Sequence, residues 1–260
     1  MEIPKIGLGF WNIKKEDAEK VLFAGLEAGY RHIDTAIAYD NEGEIGDALK
    51  ESGQKRETLF LTSKVPAEIK SYEGAKRAID ESLTRLKCGY LDLMLIHAPK
   101  PWALMNLPSP RFHKENLAVW KALSEAKAEG KVRRIGVSNF SVSDIENLVK
   151  HSEETPFANQ IRVHVGHVDS KTISFCRERG ILVEAYSPSG TGRLLKNGTV
   201  VSLAQKYGVS PAQLCIRYDL DLGTIPLPRS KNPAHIAENI AVDFSLSEED
   251  TKKLDRVFAF

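Results

Sequence analysis

Eight short apolar runs, most followed by an amphipathic stretch, constrain this 260-residue chain more than any other feature. They occupy residues 5–10, 31–36, 59–64, 91–97, 132–138, 157–163, 181–187 and 222–227. Short apolar runs bounded by turns suit strands buried on both faces. Between them, Val21, Leu22 and Leu26 share one helical face, as do Ile79, Leu83 and Leu86, and Leu117, Trp120 and Leu123. Helix starts are marked by Ser141 with Asp144 and by Ser247 with Asp250, both spaced as capping boxes. Ser210-Pro211 and Asn232-Pro233 place a capping side chain before a proline at the first helical position. About eight strand–helix units in roughly 250 residues predict an α/β (β/α)₈ TIM barrel. No Pro/Gly/Ser-rich linker divides the chain, so a single domain over 1–260 is expected. The rival, a doubly wound open sheet, usually begins on G-x-G-x-x-G after its first strand. Neither "GLGFW" nor "SGTGRLL" supplies the third glycine.

In a parallel barrel all strand C-termini point to one face, where sites are built. Asp34 falls near the end of the second run, Lys64 ends the third and His97 the fourth. Ser138 and Asn139 close the fifth, Gln160 lies in the sixth and Tyr186 near the end of the seventh. Tyr39 follows Asp34 in the adjoining loop. Each residue alone has an ordinary explanation: a capping Asp, a Lys reaching water, a hydrogen-bonded His, a half-buried Tyr. On successive strands together they point to chemistry. A phenol titrates near ~10, and a nearby ammonium lowers that value. Lys64 can supply the ammonium, Asp34 can hold it in place, and His97 can orient a carbonyl oxygen. Tyr39 is then a general acid beside a carbonyl. Such a site has no reductant of its own and calls for a hydride cofactor.

The chain resembles the aldo-keto reductases over nearly all its length. The resemblance is carried by "GLGFW", "RHIDTAIAYDNE", "LFLTSKV", "LDLMLIHAP", "IGVSNF", "NQIRVH", "AYSPSG" and "IPLPRSKNPAHIAEN", in family order and spacing. It implies a (β/α)₈ barrel that binds NADPH across its top and interconverts aldehydes or ketones with alcohols. The family's catalytic tetrad falls on Asp34, Tyr39, Lys64 and His97. Its cofactor residues fall on Gly9, Phe10 and Trp11 in the first loop, and on Ser138, Asn139 and Gln160 at the carboxamide. Tyr186 takes the place of the tyrosine stacked on the nicotinamide. Ser187 through Gly190 match the pyrophosphate loop, Arg229 and Ser230 the 2′-phosphate pair, and Glu238 and Asn239 the adenine contacts. His235 stands where many members carry a second arginine, which implies a weaker preference for NADPH over NADH. Ala98 stands where many carry tryptophan, which implies a wider pocket, walled by Trp11, His97, the 100–105 segment with Trp102, and Phe112. The N-terminal hairpin is shortened, and little sequence, Phe258–Phe260 included, follows the last expected helix, so the C-terminus should shape the pocket little.

Other chemistries remain to be weighed. Lys64 could form a Schiff base, as in an aldolase, though that chemistry does not need "IGVSNF" or "PLPRS". His164, His167 and Asp169 in "HVGHVD" resemble metal ligands, but a loop role is favoured and no metal is expected. An NADPH-binding sensor or partner subunit with little turnover is the non-enzymatic alternative. The formal net charge of +1 gives no reason to expect nucleic acid or an anionic membrane as partner. Three widely spaced cysteines suit free thiols in the cytoplasm, and no signal peptide is evident at the N-terminus. A monomer acting on a small carbonyl compound is expected.

Overall fold

The apolar runs become parallel strands, because only a strand buried on both faces tolerates so little polarity. The computed structural model describes residues 2–257. The strands are β1 (Leu8–Gly9), β2 (His32–Asp34), β3 (Phe60–Val65), β4 (Leu91–Ile96), β5 (Val132–Ser138), β6 (Ala158–Arg162), β7 (Leu182–Tyr186) and β8 (Ile225–Leu227). They lie side by side in sequence order, each parallel to the last. Two backbone bonds join β8 back to β1: Gly7 N–H donates to Pro226 O (3.0 Å) and Gly9 N–H to Pro228 O (2.9 Å). Proline has no N–H, so these two residues supply the seam with carbonyls alone. A Cβ at Gly9 would stand 3.2 Å from Leu227 O, so the strands meet too closely there for a side chain to fit easily.

The helices are α1 (Lys15–Glu27), α2 (Glu42–Glu51), α3 (Tyr72–Leu86), α4 (His113–Ala128), α5 (Val142–His151), α6 (Ser170–Glu178), α7 (Gly198–Tyr207), α8 (Pro211–Asp221), α9 (Pro233–Ile240) and α10 (Glu248–Asp255). Val21, Leu22 and Leu26 are buried, as are Ile79 and Leu86 of α3 and Trp120 and Leu123 of α4, while Leu83 and Leu117 are partly buried. Each such side chain stabilises the fold by roughly 1.5–3 kcal/mol on burial. Ser141 forms the expected reciprocal box with Asp144. Ser210 forms one with Gln213, and Asn232 caps α9.

The structure shortens several expected elements. The eighth strand begins at Ile225 rather than Leu222, because α8 runs on to Asp221 and Gly223, at φ 75°, turns the chain. The ladder of β1 covers only Leu8 and Gly9, and no strand precedes it among the described residues. Ser247 accepts from Asp250 N–H, but its own N–H goes to the Tyr207 hydroxyl (2.9 Å), so that box is half formed. The expected small role of Phe258–Phe260 concerns residues outside those described. Among the described residues no helix is long and apolar enough to cross a membrane.

Candidate active site

Parallel strands bring Asp34 to the end of β2, Lys64 near the end of β3 and His97 just past β4. A buried ammonium is costly unless acceptors surround it. Lys64 is fully buried and donates to both Asp34 carboxylate oxygens (2.8 Å each) and to Thr35 O (2.8 Å). Burial alone would lower its pKa, but Asp34, Tyr39 and Glu184 outweigh burial and hold it above the ordinary lysine value. Tyr39 lies in a short turn after β2, with Lys64 Nζ 4.9 Å from its ring centre. The Tyr39 and His97 rings meet edge-on at 5.6 Å, and Trp102 closes on His97 from another side at 5.2 Å.

The loop that carries Tyr39 is tied down by Asn41, which is buried. Its amide donates to Phe10 O (3.0 Å) and Ile13 O (2.9 Å), and its carbonyl accepts from the Thr35 hydroxyl (2.8 Å). The first loop and the tyrosine loop are thereby one unit.

Protonation differs in one respect from the sequence expectation. Lys64 does pull the phenol of Tyr39 down, but burial pushes it up by more, and the net position is above the ordinary tyrosine value. Tyr39 therefore keeps its proton across the neutral range, as an acid must. His97 is pushed down to about 3 by burial, then by Lys64 and Lys70, so it stays neutral.

The other strand ends form a connected polar network. Asn139, in the left-handed region at φ 60°, turns its amide back to donate to His97 O (3.0 Å) and Ser138 Oγ (3.0 Å). Its carbonyl accepts from the Tyr186 hydroxyl (2.8 Å), and Ser138 Oγ donates to Gln160 O (2.8 Å). Gln160 Nε2 donates both to Asp34 Oδ2 (2.8 Å) and to Glu184 Oε2 (3.0 Å). Glu184 was not singled out in the sequence. Its signal was there, as a carboxyl inside the apolar run of β7. It lies 3.4 Å from His32 Nε2 and is pushed up to about 8 by burial and by Asp34. His32 is pushed down to about 3 by burial, then by Lys64.

The raised Glu184 carboxyl has a consequence for stability. The folded protein holds its proton up to about pH 8, whereas the unfolded chain releases it near 4.5. The contribution is fully present below 4.5 and is lost as pH rises to about 8. Glu184→Gln should therefore gain on the parent as pH rises through that window. Denaturant melts of both proteins at pH 5 and pH 8 check this, and a pH-independent difference would refute it.

The expected cofactor residues are spread along the same barrel rim. Trp11 is 50% exposed, and Arg229 lies 6.0 Å from its ring centre. Phe10 is fully buried in the core, so it offers the rim only backbone. Ser187 takes φ 59° and Gly190 φ 58°, beside a cavity of about 160 Å³ lined by Arg162, His164, Ser187, Gly190, Thr191, Arg193 and Leu194. Ser230 Oγ accepts from Asn232 N–H (3.1 Å), and Arg229 meets no carboxylate at ion-pair distance among the described residues. His235 and Glu238 are exposed on α9, while Asn239 Oδ1 is buried there without a partner. Two arginines at a glycine-bearing loop and an arginine without a carboxylate partner before α9 suit the anionic phosphates of a dinucleotide, and the orphaned Asn239 oxygen suits an N–H donor such as a base amino group.

Trp102 packs edge-on to His97, but Phe112 precedes α4 and makes no ring contact with His97, Tyr39 or Trp102 among the described residues. The histidine pair of "HVGHVD" forms a local bridge with stacked rings (5.2 Å), and Asp169 caps α6.

Known proteins share this architecture. A glyoxal reductase of Bacillus subtilis is 40% identical over 257 residues, which is 98% of this chain and 89% of that protein. The crystal structure of an aldo-keto reductase from a Medee basin deep-sea metagenome library superposes with a TM-score of 0.90 at 36% identity, covering 98% of this chain and 91% of that one. A Bombyx mori aldo-keto reductase solved in complex with NADP gives 0.86 at 34% identity, covering 98% and 89%. The model of the aldo/keto reductase family matches residues 5–259. The chain belongs to the aldo/keto reductase family, oxidoreductases that act on carbonyl groups.

Proposed function

We propose that this protein reduces an aldehyde or ketone to an alcohol with NADPH, Tyr39 giving the proton. The observation that carries the proposal is the buried Lys64, held by Asp34 under the ring of Tyr39, with a neutral His97 across the ring. When bound, NADPH supplies the hydride that the carbonyl carbon receives. Asn139, Gln160 and Tyr186 would hold its nicotinamide end, the Ser187–Gly190 loop its diphosphate, and Arg229 its 2′-phosphate. The neutral imidazole of His97 orients the carbonyl oxygen. As negative charge develops on that oxygen, Tyr39 Oη transfers its proton there, and the Lys64 ammonium steadies the phenolate left behind. Solvent then reprotonates Tyr39.

A Schiff base at Lys64 requires a neutral amine. Three acceptors at 2.8 Å and a raised pKa keep Lys64 as ammonium, which disfavours an aldolase. The three cysteines are buried free thiols, which accords with a reducing compartment such as the cytoplasm. The test is NADPH consumption with simple aldehydes, dicarbonyls and keto-sugars, dicarbonyls first because the Bacillus subtilis relative is a glyoxal reductase.

Cofactor choice gives a separable prediction. Charge-assisted contacts from Arg229 to a 2′-phosphate are worth roughly 1.5–3 kcal/mol, or about ten- to hundredfold in affinity. Arg229→Ala should collapse the NADPH/NADH affinity ratio by about that factor, and His235→Arg should raise it. Fluorescence titration of both cofactors decides this. An unchanged ratio in Arg229→Ala would place the 2′-phosphate elsewhere.

A further inference from the structure

The turn that follows β4 is held unusually tightly. Three consecutive carbonyls each receive a side-chain donor: His97 O from Asn139 Nδ2 (3.0 Å), Ala98 O from Lys70 Nζ (2.7 Å) and Pro99 O from Asn116 Nδ2 (2.9 Å). Lys70 also donates to Asn116 Oδ1 (3.0 Å), which fixes the way the Asn116 amide faces. Asn116 is buried on α4, and Lys70 comes from the segment between β3 and α3. The clamp therefore joins three elements around one turn.

Lys70 is an odd residue for purely structural work. It is partly buried, and no carboxylate lies within ion-pair distance of it among the described residues. Its donors go instead to a carbonyl and an amide. The charged groups facing it are Glu68 on its own segment, Glu115 on α4 and Asp144 on α5, with His113 of α4 3.5 Å from Asp144. These do not offset burial, which pushes the Lys70 ammonium down to about 8. A neutral amide in that place could satisfy the Ala98 carbonyl at lower cost. What a neutral residue cannot supply is a second positive charge beside the imidazole of His97, whose Nδ1 is buried without a partner.

We propose that Lys70 is a positioning residue for His97. It fixes the turn after β4 through the Ala98 carbonyl and brings a positive charge to that turn while His97 orients the substrate oxygen. The inference rests on the role given to His97 above.

The experiment compares Lys70→Met with the parent in three measurements. Carbonyl kcat/KM should fall by about tenfold or more, because small displacements of an orienting group are costly. NADPH affinity should move by less than about twofold, since Lys70 bonds Ala98 and Asn116 and none of the residues proposed to hold the cofactor. The His97 imidazole, followed by NMR, should titrate at a higher pH than in the parent. The proposal is overturned if kcat/KM holds within about twofold, if NADPH affinity falls by the same factor as kcat/KM, or if the His97 titration does not move. Should Lys70→Met fail to fold, Lys70→Gln keeps a donor for Ala98 while removing the charge. The His97 titration should still rise in it, and an unmoved titration overturns the proposal. A His97→Ala control separates the two levels: if it retains parental kcat/KM, the role of His97 is wrong and this inference goes with it.

Discussion

Tyr39→Phe should lower carbonyl turnover by roughly 10²–10⁴ while leaving NADPH affinity unchanged. The substitution removes one oxygen and nothing else. The ring keeps its edge contact with His97 at 5.6 Å and its place above Lys64 at 4.9 Å, so the pocket retains its shape. Among the described residues no other phenol stands beside this lysine: Tyr186 donates to Asn139 instead. Single-turnover NADPH oxidation with a reducible aldehyde, paired with a binding titration, measures both quantities. Near-normal turnover would mean that the proton comes from elsewhere. Because burial holds the phenol above its ordinary value, the alkaline limb that Tyr39 sets in the parent should lie above pH 10.

Lys64→Met should be at least as damaging, for two distinct reasons. The first is chemical, since the cation that lowers the phenol and steadies the phenolate is gone, so any residual alkaline limb moves further up. The second is structural. Both oxygens of Asp34 lose their donor, and only the Gln160 amide still faces that carboxylate. Leaving a buried charge unpaired costs about 3–5 kcal/mol. The double variant Asp34→Asn/Lys64→Met separates the effects, because it removes the orphaned charge without restoring the cation. It should recover most of the lost melting temperature and none of the activity. Asp34→Asn alone should cost less activity than Lys64→Met, since it acts on the phenol only through Lys64. If Lys64→Met were stable and its alkaline limb unmoved, the lysine would have no part in tuning Tyr39.

The barrel and the gathering of Asp34, Tyr39, Lys64 and His97 were legible in the sequence for the same reason. A strand buried on both faces leaves a nearly unbroken apolar run, and a polar residue at its end stands out. Lys64 after "LFLTS" and His97 after "LMLI" are conspicuous in this way. The run at 132–138 agrees with β5 residue for residue. The apolar runs at β1, β2 and β8 outlast their strands, because the barrel narrows each of these to two or three residues that no local pattern announces. Glu184 and Lys70 escaped notice because their significance lies in partners far along the chain, namely Gln160, His32, Ala98 and Asn116. The balance at Tyr39 was likewise hidden. The charge of Lys64 can be read from the sequence, but the degree of burial that outweighs it cannot.

The seam between β1 and β8 bears on how such a protein is born. During synthesis the chain emerges from its N-terminus, so Gly7 and Gly9 are exposed long before Pro226 and Pro228 exist to receive their amide hydrogens. Seven strands can line up while the eighth is still untranslated, yet the cylinder has an open edge until the end. Across the same edge Arg229 lies 6.0 Å from the Trp11 ring centre, and these two bracket the proposed nucleotide site. Contacts of such long sequence separation form slowly as a class, because loop-closure entropy must be met before they contribute. Because β8 is the last strand made, completing the barrel would also complete the groove proposed for the nucleotide, and a nascent chain stalled before Ile225 should carry Asp34, Lys64 and His97 with no finished groove above them.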